Sequence, residues 1–321
     1  MVGSTERSRW GWLGVAGGVI LGLVFLVAAI PKALDPLAFA EQIRFEGLDF
    51  AFPAGFLAWL VIVAEVCLGV ALVVGLRRRW VLIPTGLLVG FFVFLTARAY
   101  LRWTSGDLDG ASACGCFGNL VERSPAEALW QDLLLLVPPF LLATFVGRSH
   151  LASGNRWRIF LVAAATLAVA ILAWASPRLP LDDVATRLGV GKRIDSFCAG
   201  ADRPGAERVC LDILVPELLE GRHLVTLGDL ESADIEQSVD ALNRMTQESP
   251  ETTVWLLADA SDERLRAFFW EWGPRFEVRE VPLPLLRPLY RSLPRSFAVD
   301  DGTVTRTWAG LPDLVAANGQ P

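Results

Sequence analysis

A chain of 321 residues, 53% hydrophobic and with a net charge of −6, carries no basic surface of the kind that nucleic acid demands. The charge is unevenly shared: residues 1–176 hold 13 Lys/Arg against 11 Asp/Glu, and residues 177–321 hold 16 against 24. Only the first part contains runs near the roughly 20 apolar residues that a bilayer-spanning helix needs, while the second, about 145 residues long, has an ordinary size for one soluble core.

Five runs predict membrane spans, at residues 13–30, 55–76, 80–97, 128–147 and 159–175. In the first, Gly14, Gly18 and Gly22 recur at the four-residue spacing of a helix packing face. With Pro31 crowding the cleavage region, this predicts a retained helix rather than a signal peptide. Lys and Arg in short loops stay on the cytoplasmic side. Arg7 and Arg9 precede the first span, Arg77, Arg78 and Arg79 separate the second from the third, and Arg148, Arg156 and Arg158 separate the fourth from the fifth. The alternate loops, though longer, hold only Lys32, Arg44, Arg98, Arg102 and Arg123. The expectation is a multi-pass protein of the cell (inner) membrane with a cytoplasmic N-terminus, the loop at 99–127 and the whole tail lying outside. Trp10, Trp12, Trp80, Trp103, Trp130, Trp157 and Trp174 fall at span ends, as in an interfacial aromatic belt.

Glu65 stands in an otherwise apolar stretch of the second span, where an ionisable group is costly and turns toward a partner or a watery interior. Lys32 or Arg98 could reach it, either as an ion pair ordering the helices or as part of a proton relay or quinone contact. Cys67, two residues on and roughly 200° round the helix, reads as a small apolar residue. Ser124-Pro125-Ala126-Glu127 has the pattern of a capping box at the start of the fourth span, and Pro138-Pro139 interrupts that span.

The segment before that helix contains Cys114-Gly115-Cys116-Phe117-Gly118. Outside the cytoplasm two such thiols meet an oxidising environment. An extended backbone puts residues i and i+2 near the upper Cα limit for a disulfide, about 6.8 Å, and Gly115 supplies the freedom to bend them together. A strained bridge of this kind is labile, and labile bonds tend to be catalytic. The alternatives are a structural bridge pinning the loop, or half of a metal site. Zinc would lack its other ligands, since the only histidines are His150, on the expected cytoplasmic side, and His223. No metal is therefore expected.

Residues 10–176 resemble the MauE/DoxX-like family of small membrane proteins. The resemblance rests on Pro31-Lys32-Ala33-Leu34-Asp35-Pro36 with Phe39-Ala40, on Glu65 with Gly69 and Gly75, and above all on the Cys-Gly-Cys-Phe-Gly stretch. It implies a four-helix core and a role in extracytoplasmic thiol-disulfide or electron-transfer chemistry, often in the maturation of another protein.

In the tail, the apolar runs at 224–227 and 253–258 predict strands. Ile235, Val239, Leu242 and Met245, then Leu265, Phe268, Phe269 and Trp272, recur at helical spacing, and Asp301-Gly302 sits between the two arms of a hairpin. The order resembles a thioredoxin fold over about residues 206–318, with residues 177–205 expected as a linker. Leu293-Pro294-Arg295-Ser296-Phe297 is similar to the segment that carries that family's cis-proline, which would be Pro294. Where thioredoxins have Cys-X-X-Cys, this chain has Glu231-Ser232-Ala233-Asp234, so thioredoxin exchange is not carried over. Cys198 and Cys210 flank a turn-rich loop and predict either a stabilising bridge or a second exchange pair.

The architecture expected is an α-helical membrane bundle over residues 1–176, a linker, and an α/β thioredoxin-like domain over 206–321. The function expected is thiol-disulfide oxidoreductase chemistry by Cys114 and Cys116, with an extracytoplasmic client or thiol protein as partner. With Cys67 alone in the spans, regeneration falls to a quinone or an extracytoplasmic thiol partner rather than to a relay across the membrane. The rival is a membrane-anchored binding or assembly factor whose cysteines are all structural. A transporter using Glu65 has little support without inverted repeats.

Overall fold

The computed structural model describes residues 11–76, 79–105, 124–145, 156–199, 209–232 and 235–312. The expected redox pair Cys114 and Cys116 lies outside the described residues. The chain divides into two compact units, one through Leu179 and the other from Pro180.

The first unit is helical: α1 (Gly11–Leu34), α2 (Pro36–Phe45), α3 (Ala54–Val73), α4 (Arg79–Thr104), α5 (Pro125–Phe145) and α6 (Arg156–Ala175). All but α2 are long and apolar enough to cross a membrane. Trp12, Trp80, Trp130, Trp157 and Trp174 are exposed at span ends, where an indole suits the lipid-water boundary. The helix α2 has no counterpart among the expected elements. Asp35 caps it by accepting a hydrogen bond from the Ala38 N–H at 3.0 Å, and Pro36 fixes its first turn. Its apolar side, Ala40 and Ile43, packs on Ala54 and Ala58 of α3. The helix α5 is continuous through Pro138-Pro139, so the proline pair does not end the span.

Small residues set the spacing of the bundle. A Cβ on Gly22 of α1 would lie 2.6 Å from the Gly69 carbonyl oxygen of α3, and one on Gly17 would lie 2.7 Å from the Pro139 carbonyl oxygen of α5. Without a hydrophobic drive between helices in lipid, such backbone approach supplies the packing energy.

In the second unit, α7 (Asp182–Ala185), β1 (Cys198–Ala199), β2 (Val209–Cys210) and α8 (Leu211–Leu214) precede the main sheet. That sheet is built from β3 (Arg222–Leu227), α9 (Ile235–Glu248), β4 (Thr253–Ala258), α10 (Asp262–Trp272), β5 (Glu277–Glu280), α11 (Leu283–Leu286), β6 (Arg295–Asp300) and β7 (Thr303–Trp308). The strand order is β5-β4-β3-β6-β7, with β3, β4 and β5 parallel and β6 and β7 antiparallel. This is the thioredoxin-like arrangement. Strand alternation sends Leu224 and Leu256 to the helices α9 and α10, through Val239, Leu242 and Phe268, and sends Val225, Leu227, Trp255 and Phe297 to the opposite core. Asp301 and Gly302 turn the β6–β7 hairpin with φ of 43° and 74°, the paired positive values that the Asp-Gly dipeptide favours.

Within the expected linker over 177–205, the described residues 180–199 belong to the second unit and pack into it. Leu188, Ile194 and Phe197 are buried in the core on the sheet face away from α9 and α10. The Gly191 N–H donates to the Val304 carbonyl at 2.7 Å, the Val304 N–H to Lys192 at 2.8 Å, and the Ile194 N–H to Gly302 at 2.9 Å. Glycine and charge made the stretch read as a tether, yet its three large apolar side chains had a core to fill. Asp182 and Asp183 hold it further, at 3.3 and 3.2 Å from the guanidinium of Arg295, a side chain 1% exposed. Burial lowers the Arg295 pKa, and the two carboxylates counter that shift.

Two stability predictions follow from these contacts. Gly22→Val should cost the bundle about 1–3 kcal/mol through overpacking, read as a lower apparent Tm in detergent, while Gly90→Ala, with no atom within 4 Å, should not move it. Replacing both Asp182 and Asp183 by alanine strands a buried guanidinium, so the second unit should lose about 3 kcal/mol by urea unfolding of the full chain. Asp183→Ala alone, at a carboxylate 66% exposed, should cost less than about 1 kcal/mol.

Candidate functional site

Lys32 lies in the last turn of α1, where the helix dipole favours a cation, and Glu65 lies well inside α3. Both side chains are 0% exposed, and the Lys32 ammonium donates to Glu65 Oε1. Arg98, the other partner expected for Glu65, instead donates to the Glu46 carbonyl at 3.0 Å and stands 3.6 Å from the Glu46 carboxylate. The ammonium also faces two rings, Phe39 at 4.9 Å and Phe92 at 4.7 Å from their centroids, a cation–π arrangement strengthened where water is absent. Glu65 Oε2 is buried and accepts no hydrogen bond among the described residues.

The Lys32 side chain forms part of the wall of a cavity of about 420 Å³. Phe39 and Ile43 of α2, Leu57 and Val61 of α3, and Phe91, Phe92 and Leu95 of α4 line it, with Phe50 and Phe52 from the segment after α2. Polar groups are few: Lys32, Gln42, Glu46 and Thr96. An apolar hollow with a small number of placed polar groups is the usual form of a small-molecule site.

The cavity belongs to one end of the bundle. Ser176, just past α6, bonds through its hydroxyl to the Leu34 carbonyl at the end of α1, and the Trp59 indole near the start of α3 donates to Ala170 of α6 at 3.1 Å. Arg98 ties the last turns of α4 to Glu46. Since Gly17, early in α1, meets Pro139 and Leu142, late in α5, α5 starts at this same end. There Ser124 and Glu127 form a reciprocal capping box, with backbone N–H to side-chain oxygen distances of 3.1 and 3.2 Å. The described residues flanking the Cys-Gly-Cys stretch, Ser105 and Ser124, thus share the cavity's end of the bundle, as does the exit of the chain toward Pro180.

In the second unit, Cys198 and Cys210 form a disulfide and stand opposite each other in the β1–β2 pair, with Cα atoms 3.9 Å apart. Phe197 and Leu211, next to them in sequence, are both core residues. The Leu293–Pro294 peptide is cis. At the head of the helix that follows β3, Asp229 accepts from the Glu231 N–H at 2.9 Å, and there is no thiol in this turn. His223 is absorbed structurally: its Nδ1 accepts from the Trp255 indole at 3.1 Å while Nε2 lies 2.7 Å from the Glu220 carbonyl. Cys67 is free and half-buried, and no cluster of three metal-ligating side chains exists among the described residues. Sequence reasoning missed the cavity, because its five phenylalanines are scattered over more than fifty positions, and it missed the two acids that hold Arg295.

Comparison with known proteins falls along the same division. Residues 10–147 match the family model described as methylamine utilisation protein MauE. Protein TlpB of Flavobacterium psychrophilum is 28% identical over 147 residues, which is 43% of this chain and 39% of the relative, so the match spans well under half of that protein. A putative thiol:disulfide interchange protein DsbE from Chlorobium tepidum aligns with 41% of this chain and 99% of its own, at 17% identity and a TM-score of 0.32. A secreted Mycobacterium tuberculosis disulfide oxidoreductase aligns with 40% and 90%, at 12% identity and a TM-score of 0.28. Residues 10–147 are therefore similar to the MauE family of membrane proteins, and in this chain they precede a domain with the thioredoxin-like strand order and no Cys-X-X-Cys motif.

Proposed function

We propose that this protein is a membrane redox factor in which Cys114 and Cys116 exchange a disulfide on the extracytoplasmic face, in support of the maturation of a client protein. In one direction, a thiolate of the pair attacks a disulfide of the partner, forming a mixed disulfide and releasing one partner thiolate. The second cysteine then displaces the other partner sulfur, leaving the pair oxidised and the partner reduced. The reverse sequence oxidises the partner. The observation that carries the reading is the convergence of the flanks of the Cys-Gly-Cys stretch, the buried Lys32–Glu65 pair and the chain's exit to the second unit on one end of the bundle. The arginine distribution supports an N-terminus in the cytoplasm, and so an oxidising compartment for that end in the inner membrane.

The thioredoxin-like domain serves in this reading as the surface that binds or presents the client. Its two cysteines are bonded to each other and flanked by core residues, and it has no thiol where that fold performs exchange. The same facts favour a second reading, a membrane-anchored assembly factor whose cysteines are all structural.

Replacing Cys116 by serine should trap a client on Cys114 as an adduct on non-reducing gels, lost on reduction and absent when Cys114 is also serine. A wild-type pair that stays fully oxidised whatever the client supply would instead establish the assembly factor. Replacing both Cys198 and Cys210 by serine should lower the unfolding free energy of the second unit by about 3 kcal/mol and leave the Cys114 adduct in place.

A further inference from the structure

The hollow in the helical unit is apolar along most of its wall and has cations beside one part of it. Lys32 gives an occupant nothing to bind, because Glu65 and the rings of Phe39 and Phe92 enclose its ammonium. The wall that remains, from Phe39 of α2 through Leu57 and Val61 of α3 to Phe91, Phe92 and Leu95 of α4, suits hydrocarbon. Glu46, at the C-terminus of α2, also belongs to the lining. Its buried carboxylate lies 3.6 Å from the Arg98 guanidinium and 3.9 Å from that of Arg102, so both cations stand at this part of the hollow. Arg98 directs one N–H to the Glu46 carbonyl at 3.0 Å, and a guanidinium carries five. Both side chains are partly open to the surroundings, Arg98 by 38% and Arg102 by 27%. Phe91, Leu95, Arg98 and Arg102 follow one another at intervals of four, three and four residues, which is one face of α4. At about 1.5 Å per residue, Arg102 lies roughly 10 Å beyond Leu95 toward the end of that helix. A helix face that passes from apolar wall to guanidinium matches a molecule with hydrocarbon at one end and an anion at the other.

We infer that the hollow and this face of α4 form a phospholipid site, with the headgroup phosphate on Arg98 and Arg102 and part of an acyl chain among Phe39, Leu57, Phe91 and Leu95. The planar fork of a guanidinium suits two phosphate oxygens at once, and long basic side chains near a helix end reach the headgroup layer while their stems stay in hydrocarbon. A volume of about 420 Å³ lies within the range of pockets that enclose small organic ligands, about 300–1,000 Å³, and so holds a segment of one chain rather than a whole lipid. Phe91 and Phe52 are exposed at the surface of the described residues, so the chain has a way in from the bilayer. A free phosphate would leave the apolar wall without an occupant, and a neutral lipid would bring no anion to the guanidiniums. The site stands apart from the thiol exchange proposed above and needs no electron transfer.

The test uses the full chain, purified and stripped of lipid in detergent, and reads bound lipid by native mass spectrometry. The probes are dioleoylphosphatidylglycerol, the matching diacylglycerol, which has the chains without the phosphate, and inorganic phosphate as a competitor. Phosphatidylglycerol should bind saturably, diacylglycerol about tenfold more weakly, and inorganic phosphate at matched concentration should displace neither. The triple replacement Glu46→Gln, Arg98→Gln and Arg102→Gln, which takes the carboxylate away together with both guanidiniums, should weaken phosphatidylglycerol about tenfold and leave diacylglycerol where it was. Leu95→Trp, which fills the hollow from α4, should weaken both lipids about tenfold, while Leu141→Ala, exposed on α5 and outside the lining, should change neither. Leu57→Phe, a smaller filling from α3, repeats that arm should Leu95→Trp not fold. Equal affinity for the two lipids, displacement of phosphatidylglycerol by inorganic phosphate, or phosphatidylglycerol binding untouched by the triple variant or by both fillings would overturn the assignment.

Discussion

Two opposite charges closed off from water in the middle of an apolar bundle constrain everything around them. The desolvation of Lys32 and Glu65 is offset only while they remain in contact, so α1 and α3 have one admissible register. The Gly22 and Gly69 approach further along the same helices permits that register by letting the backbones close. The motif from Pro31 to Pro36 then acquires a mechanical meaning. Lys32 points back into the bundle, Asp35 ends the dependence on α1 by capping a new helix, and Pro36 starts it. The short α2 that results lays Phe39 against the ammonium and Ile43 along the cavity wall. A charge pair, a cap and a short helix thus build a hollow that no one of them would form.

How much of this was legible in the sequence depends on the range of each signal. Span positions came from runs of apolar residues, and the capping box at Ser124 from four adjacent side chains, both local in origin. The hairpin at Asp301-Gly302 was equally readable, because positive φ at two successive residues restricts the chemistry to a few dipeptides. Strand β5 was not, since Glu277-Val278-Arg279-Glu280 is an edge strand with a single aliphatic residue, and its place beside β4 is set by the sheet. The segment from Asp182 to Phe197 misled for a related reason. Its anchors are Arg295, more than a hundred positions away, and the backbone of β7, and spacing along a chain says nothing about such partners. For Glu65, sequence supplied the need for a cation and two candidates. The choice between them was steric: Arg98 was drawn to Glu46 by the turn that follows α2.

The thioredoxin-like unit shows how a fold persists after a motif that often accompanies it is gone. Its stability rests on the two apolar faces of the sheet and on the clamp of Asp182 and Asp183 around Arg295, a guanidinium one residue past the cis peptide at Pro294. The turn after β3 is held by Leu230, buried in the core on the α9 and α10 face, and by Arg264 donating to the Leu230 carbonyl at 2.8 Å, so it needs no thiol to keep its place. The surviving disulfide lies elsewhere, between strands β1 and β2 and flanked by core residues. A thiol exchanger needs a sulfur that a partner's sulfur can approach in line, and a bridge anchored on both sides by Phe197 and Leu211 has little freedom to offer one.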